Sequence, residues 1–440
     1  MIAPDQTSAL SGYDPVVLLW LVIFIFLSRS LSIVKKFGLP LVVGEILSGV
    51  ILGELHVFGI NLFVNAENDP VIRFLAEFGA IILMFEIGLD SKFSDLKHNF
   101  RSGIKMAISG TILTFSSGFL IAKFLIPNPT LSLELLLGVI TAATATGISA
   151  KTFKEMGIIK SKEVQVVLVA SILDELVSIF CFGIISNMIL ESAFNLTTFS
   201  ISTIQAIGFF VFAAIFGNWI TPILTKWSIK IHAGINMKIG VLLTVCFLFS
   251  WVAHKLGLAT VVGAFVGGLI LDQIYFKSFS QSNFFHQLNF LKSQVADSQL
   301  KYQFTQLIEK QEKRNLEELL KPISHVFVPI FFIYIGFLID IHKLFDPLTL
   351  LITLALLLAS FLGRIISGYL IRGKKMNKLV LGLGMTPIGE AGLIFAVFGK
   401  VSGVINDTVL SAIVAAVVIA AILTPILINF AIKRYNINHD

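Results

Sequence analysis

Charge is what this chain has least of. Asp, Glu, Lys and Arg make up 14% of its 440 residues, where soluble domains carry about a quarter. So little charge cannot clothe a water-soluble surface, and the 56% of hydrophobic residues points to a bilayer protein instead. Cysteine is almost absent. Cys181 and Cys246 both sit inside apolar runs, leave the redox compartment open and offer no metal-binding spacing. The basic residues behind a net charge of +6 fall in short separate clusters, which excludes the continuous stripe that nucleic acid requires. Met1 to Asp14 lacks the basic start and small-residue cleavage site of a signal peptide and is taken as part of the mature chain. Protease signatures are missing: there is no His-Glu-x-x-His and no Gly-x-Ser-x-Gly, and Asp90 lies at a membrane edge with no second catalytic Asp to face. No segment carries the carbonyl-filter signature of a channel. The expectation is a protein that is not an enzyme and needs no cofactor.

What the chain has in abundance is apolar runs of spanning length. A membrane helix needs about 20 mostly apolar residues, and the scan predicts thirteen such segments: 15–34, 39–55, 71–90, 103–126, 131–150, 164–190, 203–226, 239–253, 257–272, 325–340, 348–370, 379–400 and 409–432. Between them, the basic residues alternate strongly. Arg73, Lys123, Lys255, Lys343 and Lys400 fall on one side, and most of the chain's 33 Lys and Arg fall on the other. Basic loops stay in the cytoplasm, so the N-terminus is placed outside and the C-terminus in the cytoplasm.

Two segments read as copies. Gly38 to Leu52 aligns without gaps to Gly257 to Leu271 with eight of fifteen residues identical, including Gly44 on Gly263 and Gly49 on Gly268. If segments one to six repeat as eight to thirteen, with 203–226 as a linker helix, the second copy starts on the opposite side of the bilayer. Tyr334 then stands where Glu86 stands in the first copy. Inverted repeats of this kind characterise secondary transporters, which hold substrate near the midplane between broken helices.

Ionisable groups at membrane depth cost about 2.5–3.5 kcal/mol each on insertion scales and mark function. Segment six places Asp174 and Glu175 side by side among apolar residues, about 100° apart on a helix, so that they face different neighbours. Segment five carries Thr141-Ala142-Ala143-Thr144-Ala145-Thr146-Gly147, and segment twelve carries Gly384-Met385-Thr386-Pro387-Ile388-Gly389-Glu390. Both stretches are rich in breakers and hydroxyls, and they occupy equivalent places in the two copies. A helix opened there frees carbonyls and dipole ends to line a cation site, with Thr144 and Thr146 as candidate ligands; close packing through small residues is the alternative. Arg364 in segment eleven is a candidate partner for Asp174, since a carboxylate beside a permanent cation stays ionised and leaves Glu175 to exchange its proton. Glu86 and Glu390 are candidates for ion access or pH sensing, with a local hydrogen bond as the alternative, and Glu45 is open between the same two roles.

Taken together, Pro40 to Gly49, Phe85 to Asp90, Thr144 to Thr146, Asp174-Glu175, Gly257 to Gly268, Pro329 to Phe332 and Gly384 to Glu390 resemble the cation:proton antiporter superfamily. The likeness is to the branch of bacterial sodium–proton exchangers and Kef-type potassium efflux transporters. It runs over nearly the whole chain, 1–434, in family order. The resemblance implies an all-α membrane protein of about thirteen helices, with inverted six-helix repeats and two crossing broken helices. It implies a homodimer in a bacterial inner membrane, with 15–90 and 239–340 as the dimer domain and 103–190 and 348–432 as the ion-transporting core. It makes Glu175 the carboxylate that binds the monovalent metal ion and Asp174–Arg364 a structural pair, and it implies exchange of Na+ or K+ for H+, electroneutral. An ion-coupled solute symporter or a Kef-like potassium efflux transporter on the same scaffold is the alternative. Three features depart from the family pattern: Glu at 175 where Asp is usual, Ile388 where many relatives have Arg, and a charged stretch at 276–321 read as a cytoplasmic insertion. The nucleotide-binding regulatory domain of full-length Kef-type proteins is not expected after segment thirteen.

Overall fold

A computed structural model describes residues 15–30, 41–63, 65–90, 100–156, 158, 161–191, 196–231, 235–271, 298–339, 341–371 and 376–435. Residues 38–40 of the repeat motif and 276–297 of the insertion lie outside that set, as do some side chains within helices, Thr146 among them. The described residues are helical: α1 (Val16–Ser30), α2 (Leu41–Gly53), α3 (Pro70–Asp90), α4 (Phe100–Leu125), α5 (Leu131–Ala142), α6 (Thr146–Glu155), α7 (Lys162–Leu190), α8 (Leu196–Ile231), α9 (Ile235–Lys255), α10 (Thr260–Leu269), α11 (Ser298–Phe337), α12 (Ile341–Leu344), α13 (Pro347–Leu370), α14 (Lys378–Leu383), α15 (Glu390–Val401) and α16 (Asp407–Tyr435). Among them, 7 helices are long and apolar enough to cross a membrane, and α1, α5 and α10 are shorter apolar helices. The chain is a multi-pass membrane protein, helical across its described residues apart from turns and one isolated bridge.

Local chemistry explains the boundaries. Ser161 caps α7 by accepting from the Val164 amide, with Glu163 in the first turn to complement the helix dipole. Pro347 opens α13 at a position whose N–H has no helical partner. Asn377 caps α14 through the amides of Leu379 and Val380. The charged residues from Ser298 onward do not form a separate element: α11 runs unbroken from them into the apolar segment that ends at Phe337.

The chain divides into two compact units. The first comprises Met1–Gly79, Phe93–Thr203 and Val328–Asp440, and the second Ala80–Lys92 and Ile204–Phe327. Lipid is as apolar as leucine, so helices in a membrane associate through close packing rather than hydrophobic burial. Glycine permits it at several crossings, two of which form a matched pair. In the first unit α2 meets the end of α11 backbone to backbone; a Cβ on Gly49 would lie 2.0 Å from the Ile333 carbonyl oxygen, and one on Gly336 2.3 Å from that of Ile46. In the second unit α3 meets α10 in the same manner; a Cβ on Gly88 would lie 2.1 Å from the Phe265 oxygen, and one on Gly268 2.2 Å from that of Phe85.

Two helices of the first unit are opened in mid-course. The chain leaves helix at Ala143 and re-enters it at Thr146, and again between Gly384 and Gly389. Pro387 has no amide to donate and disfavours helix at Thr386. The two openings lie side by side, joined as an antiparallel bridge between Thr144 and Ile388: the Ala145 amide donates to the Pro387 carbonyl at 2.8 Å and the Gly389 amide to that of Ala143 at 2.9 Å. Gly389 makes the approach possible, since a Cβ there would sit 2.7 Å from the Thr144 oxygen. Backbone groups freed at membrane depth thus find partners in each other.

Candidate functional site

Four stretches of the first unit meet beside this bridge. From α7 comes Asp174, 0% exposed, and from α13 comes Arg364, 1% exposed. Arg364 Nη1 donates to Asp174 Oδ1 at 3.0 Å and Nη2 to Oδ2 at 2.7 Å, a two-point pairing of guanidinium with carboxylate. Nη2 also donates to the Ala142 carbonyl, left open where α5 ends. The Thr144 hydroxyl, inside the opening, donates to Asp174 Oδ2, and the Thr111 hydroxyl of α4 donates to Oδ1. An ionised carboxylate has about four acceptor positions. On Asp174 all of them are taken.

The structure therefore brings Asp174, Arg364 and Thr144 together. Thr146 opens α6, and its side chain lies outside the described set. Glu175 is buried next to Asp174, 6% exposed. The hydroxyls of Ser171 and Ser178 lie one turn to either side of it on the same face of α7, are 0% and 1% exposed, and have no hydrogen-bond partner among the described residues. Glu390 begins α15, where the N-terminal dipole favours an acid, and borders an apolar crevice of about 10 Å³ lined also by Val43, Ile46, Ile148 and Val417, with room for about one water. Glu45 accepts from Ser28 Oγ at 2.8 Å. In the second unit Glu86 accepts from Ser324 Oγ at 2.7 Å.

Hydroxyls also support the openings from behind. Ser149 donates to the Gly384 carbonyl at 2.5 Å, Ser360 to that of Thr386 at 2.8 Å, and the Thr386 and Thr424 hydroxyls meet at 2.8 Å. Thr111, Ser171 and Ser178 escaped the sequence reasoning. The serines carried a usable signal, their spacing of four and three residues from Glu175. Thr111 carried none, because its role depends on how α4 packs against α7.

The family described as "Sodium/hydrogen exchanger, transmembrane" matches residues 21–293 and 304–434. The chain is 26% identical over 425 residues to the high-affinity Na+/H+ antiporter NhaS3 of Synechocystis sp., covering 89% of this chain and 84% of that protein. It is 27% identical over 381 residues to a Na+/H+ antiporter of Enterococcus hirae, covering 85% and 86%. The sodium proton antiporter MjNhaP1 of Methanocaldococcus jannaschii shares the fold, with a TM-score of 0.67 at 17% identity over 96% of this chain and 99% of that one. With its family match running through both openings and the Asp174–Arg364 pair, the chain belongs to the transmembrane sodium/hydrogen exchangers.

Proposed function

We propose that the protein exchanges a monovalent cation, Na+ or K+, for one proton at Glu175, without net charge movement. The observation that carries this is the saturation of Asp174 by Arg364, Thr111 and Thr144. An acid with every acceptor position filled is a fixed counter-ion to arginine, which leaves its neighbour to take the exchanging ion. Ser171 and Ser178 supply unpartnered hydroxyl oxygens on the same helical face, suited to a partly dehydrated cation.

One carboxylate then serves two ions in turn. Protonated Glu175 is neutral, and cation-bound Glu175 is neutralised. Bare Glu175 is neither, and carrying it past an apolar barrier costs several kcal/mol. The site crosses loaded with either ion and not empty, so the gradient of one drives the other.

In this proposal the N-terminus is outside and the C-terminus cytoplasmic, as the distribution of Lys and Arg supports. Segments 103–190 and 348–432 form the moving core, supported by the origin of every side chain around Asp174 in those two stretches, and 15–90 with 239–340 form the face of a homodimer. The inverted repeat gains support from the glycine crossings. Exchange of the two copies maps Gly49 onto Gly268 and Gly336 onto Gly88, so the α2–α11 and α3–α10 crossings are one contact made twice. The relatives of Synechocystis and Enterococcus hirae are both named as Na+/H+ antiporters.

The test is exchange in proteoliposomes, following internal pH while each cation is added in turn. Wild type should acidify or alkalinise with the cation gradient. Glu175→Gln keeps size and hydrogen bonding but cannot swap a proton for a cation, and should be silent while still inserting. Exchange at more than a small fraction of the wild-type rate in that variant would sink the mechanism.

A further inference from the structure

The hydroxyl of Thr111 faces two acceptors with one proton to give. Its oxygen lies 2.8 Å from the Ala107 carbonyl, the usual back-bond of a threonine inside a helix, and also against Asp174 Oδ1. A hydrogen bond to a charged acceptor is about twice as strong as one to a neutral carbonyl, so the proton belongs to Asp174. Its helical neighbour Gly110 serves the other half of the pair. A Cβ at that position would lie 2.7 Å from Arg364 Nη1 and 3.5 Å from Arg364 Cδ. A side chain at position 110 would crowd the guanidinium from the place where it meets Asp174. The Thr114 hydroxyl, one turn on, bonds back to the Gly110 carbonyl at 2.8 Å and away from the pair.

We propose that Gly110 and Thr111 are positioning residues that keep Asp174 out of ion exchange: glycine admits Arg364, and threonine fills the last acceptor position on Asp174. This rests on Glu175 as the exchanging group. If Thr111 cannot donate, Oδ1 gains an open lone pair within the reach of an ion, and a second carboxylate joins the first. The number of charges carried per cycle is then set from α4, by a residue that touches neither the cation nor Glu175.

The test compares Thr111→Val, which keeps the shape and removes the donor, with Thr111→Ser, which keeps the donor. Cation dependence, pH profile and response to an imposed potential are measured in proteoliposomes, with melting temperature in detergent as a check on folding. Thr111→Val should shift the apparent cation KM by about tenfold, the scale of one hydrogen bond to a charged group. It should also move the pH profile and make exchange respond to potential, and Thr111→Ser should behave as wild type in all three. A Thr111→Val protein that melts like wild type and matches it in KM, pH profile and potential independence overturns the inference. If Thr111→Val does not fold, Thr111→Ala, which also lacks the donor, takes its place under the same criteria. Should Glu175→Gln alone still exchange ions, the exchange site itself is wrong. Should Glu175→Gln be silent and Thr111→Val be unchanged, only the role of α4 falls.

Discussion

Arg364 meets Asp174 with both terminal nitrogens, at 3.0 and 2.7 Å, where neither side chain is more than 1% exposed. Removing one member of such a buried pair leaves the other uncompensated and costs about 3–5 kcal/mol, whereas removing both costs less. Arg364→Ala should therefore lower the melting temperature in detergent markedly, and Asp174→Asn combined with Arg364→Ala should recover part of the loss. Strictly additive losses would count against the pair as a unit.

Arginine also bears on stoichiometry. A buried lysine at position 364 could release its proton as a cation arrived and become a second proton carrier; arginine does not deprotonate in proteins. Exchange should therefore be one proton per cation. With the potential clamped by valinomycin and potassium, an imposed potential without a pH gradient should drive no sodium uptake. Uptake under those conditions would refute one-to-one exchange and point to a further carrier such as Glu86.

Glu67 lies in the turn before α3 and outside the spanning helices. Burial pushes its carboxyl above the ordinary value of 4.5, while Lys400 pulls it down and Asp407 pushes it up; Asp407 is itself paired with Lys400 and, at 3.3 Å, with Lys343. A group that binds its proton more tightly when folded stabilises the fold fully below its unfolded value, and that stability is lost as pH rises through the folded value. Glu67→Gln should then melt close to wild type near pH ~4 and above it near pH ~7, by a small margin because the group is partly exposed. A difference of the same size at both pH values would exclude this role for Glu67.

The glycine crossings differ from ordinary helix glycines. At position 49 a Cβ meets backbone, the Ile333 oxygen at 2.0 Å and the Gly336 Cα at 2.8 Å, which cannot swing aside; at Gly208 in α8 nothing lies within 4 Å. Gly49→Ala should cost about 1–3 kcal/mol or more as overpacking, read as a lower yield of folded protein and a lower melting temperature. Gly208→Ala should be neutral or gain up to about 1 kcal/mol from helix propensity. Equal tolerance at the two positions would show that α2 and α11 do not cross at Gly49.

Much of this architecture was legible in composition and pattern, because the bilayer is an exacting solvent. It demands long apolar runs, which number the helices coarsely, and it penalises every ionisable group at depth, which draws the eye to Asp174, Glu175 and Arg364. Breakers and hydroxyls at Thr144 and at Thr386-Pro387 located the two openings, since few other residues interrupt a helix in lipid. Length alone was less reliable: α5, α6, α14 and α15 each fall short of a span because the openings divide them. Packing settled what no linear pattern carries. That Asp174 is saturated depends on Thr111 arriving from a helix 63 residues away, and that Arg364 fits beside it depends on the missing side chain of Gly110. A threonine inside an apolar helix satisfies itself on its own backbone by default. Nothing in its neighbours along the chain reveals that a buried carboxylate, a stronger acceptor, has been folded into its reach.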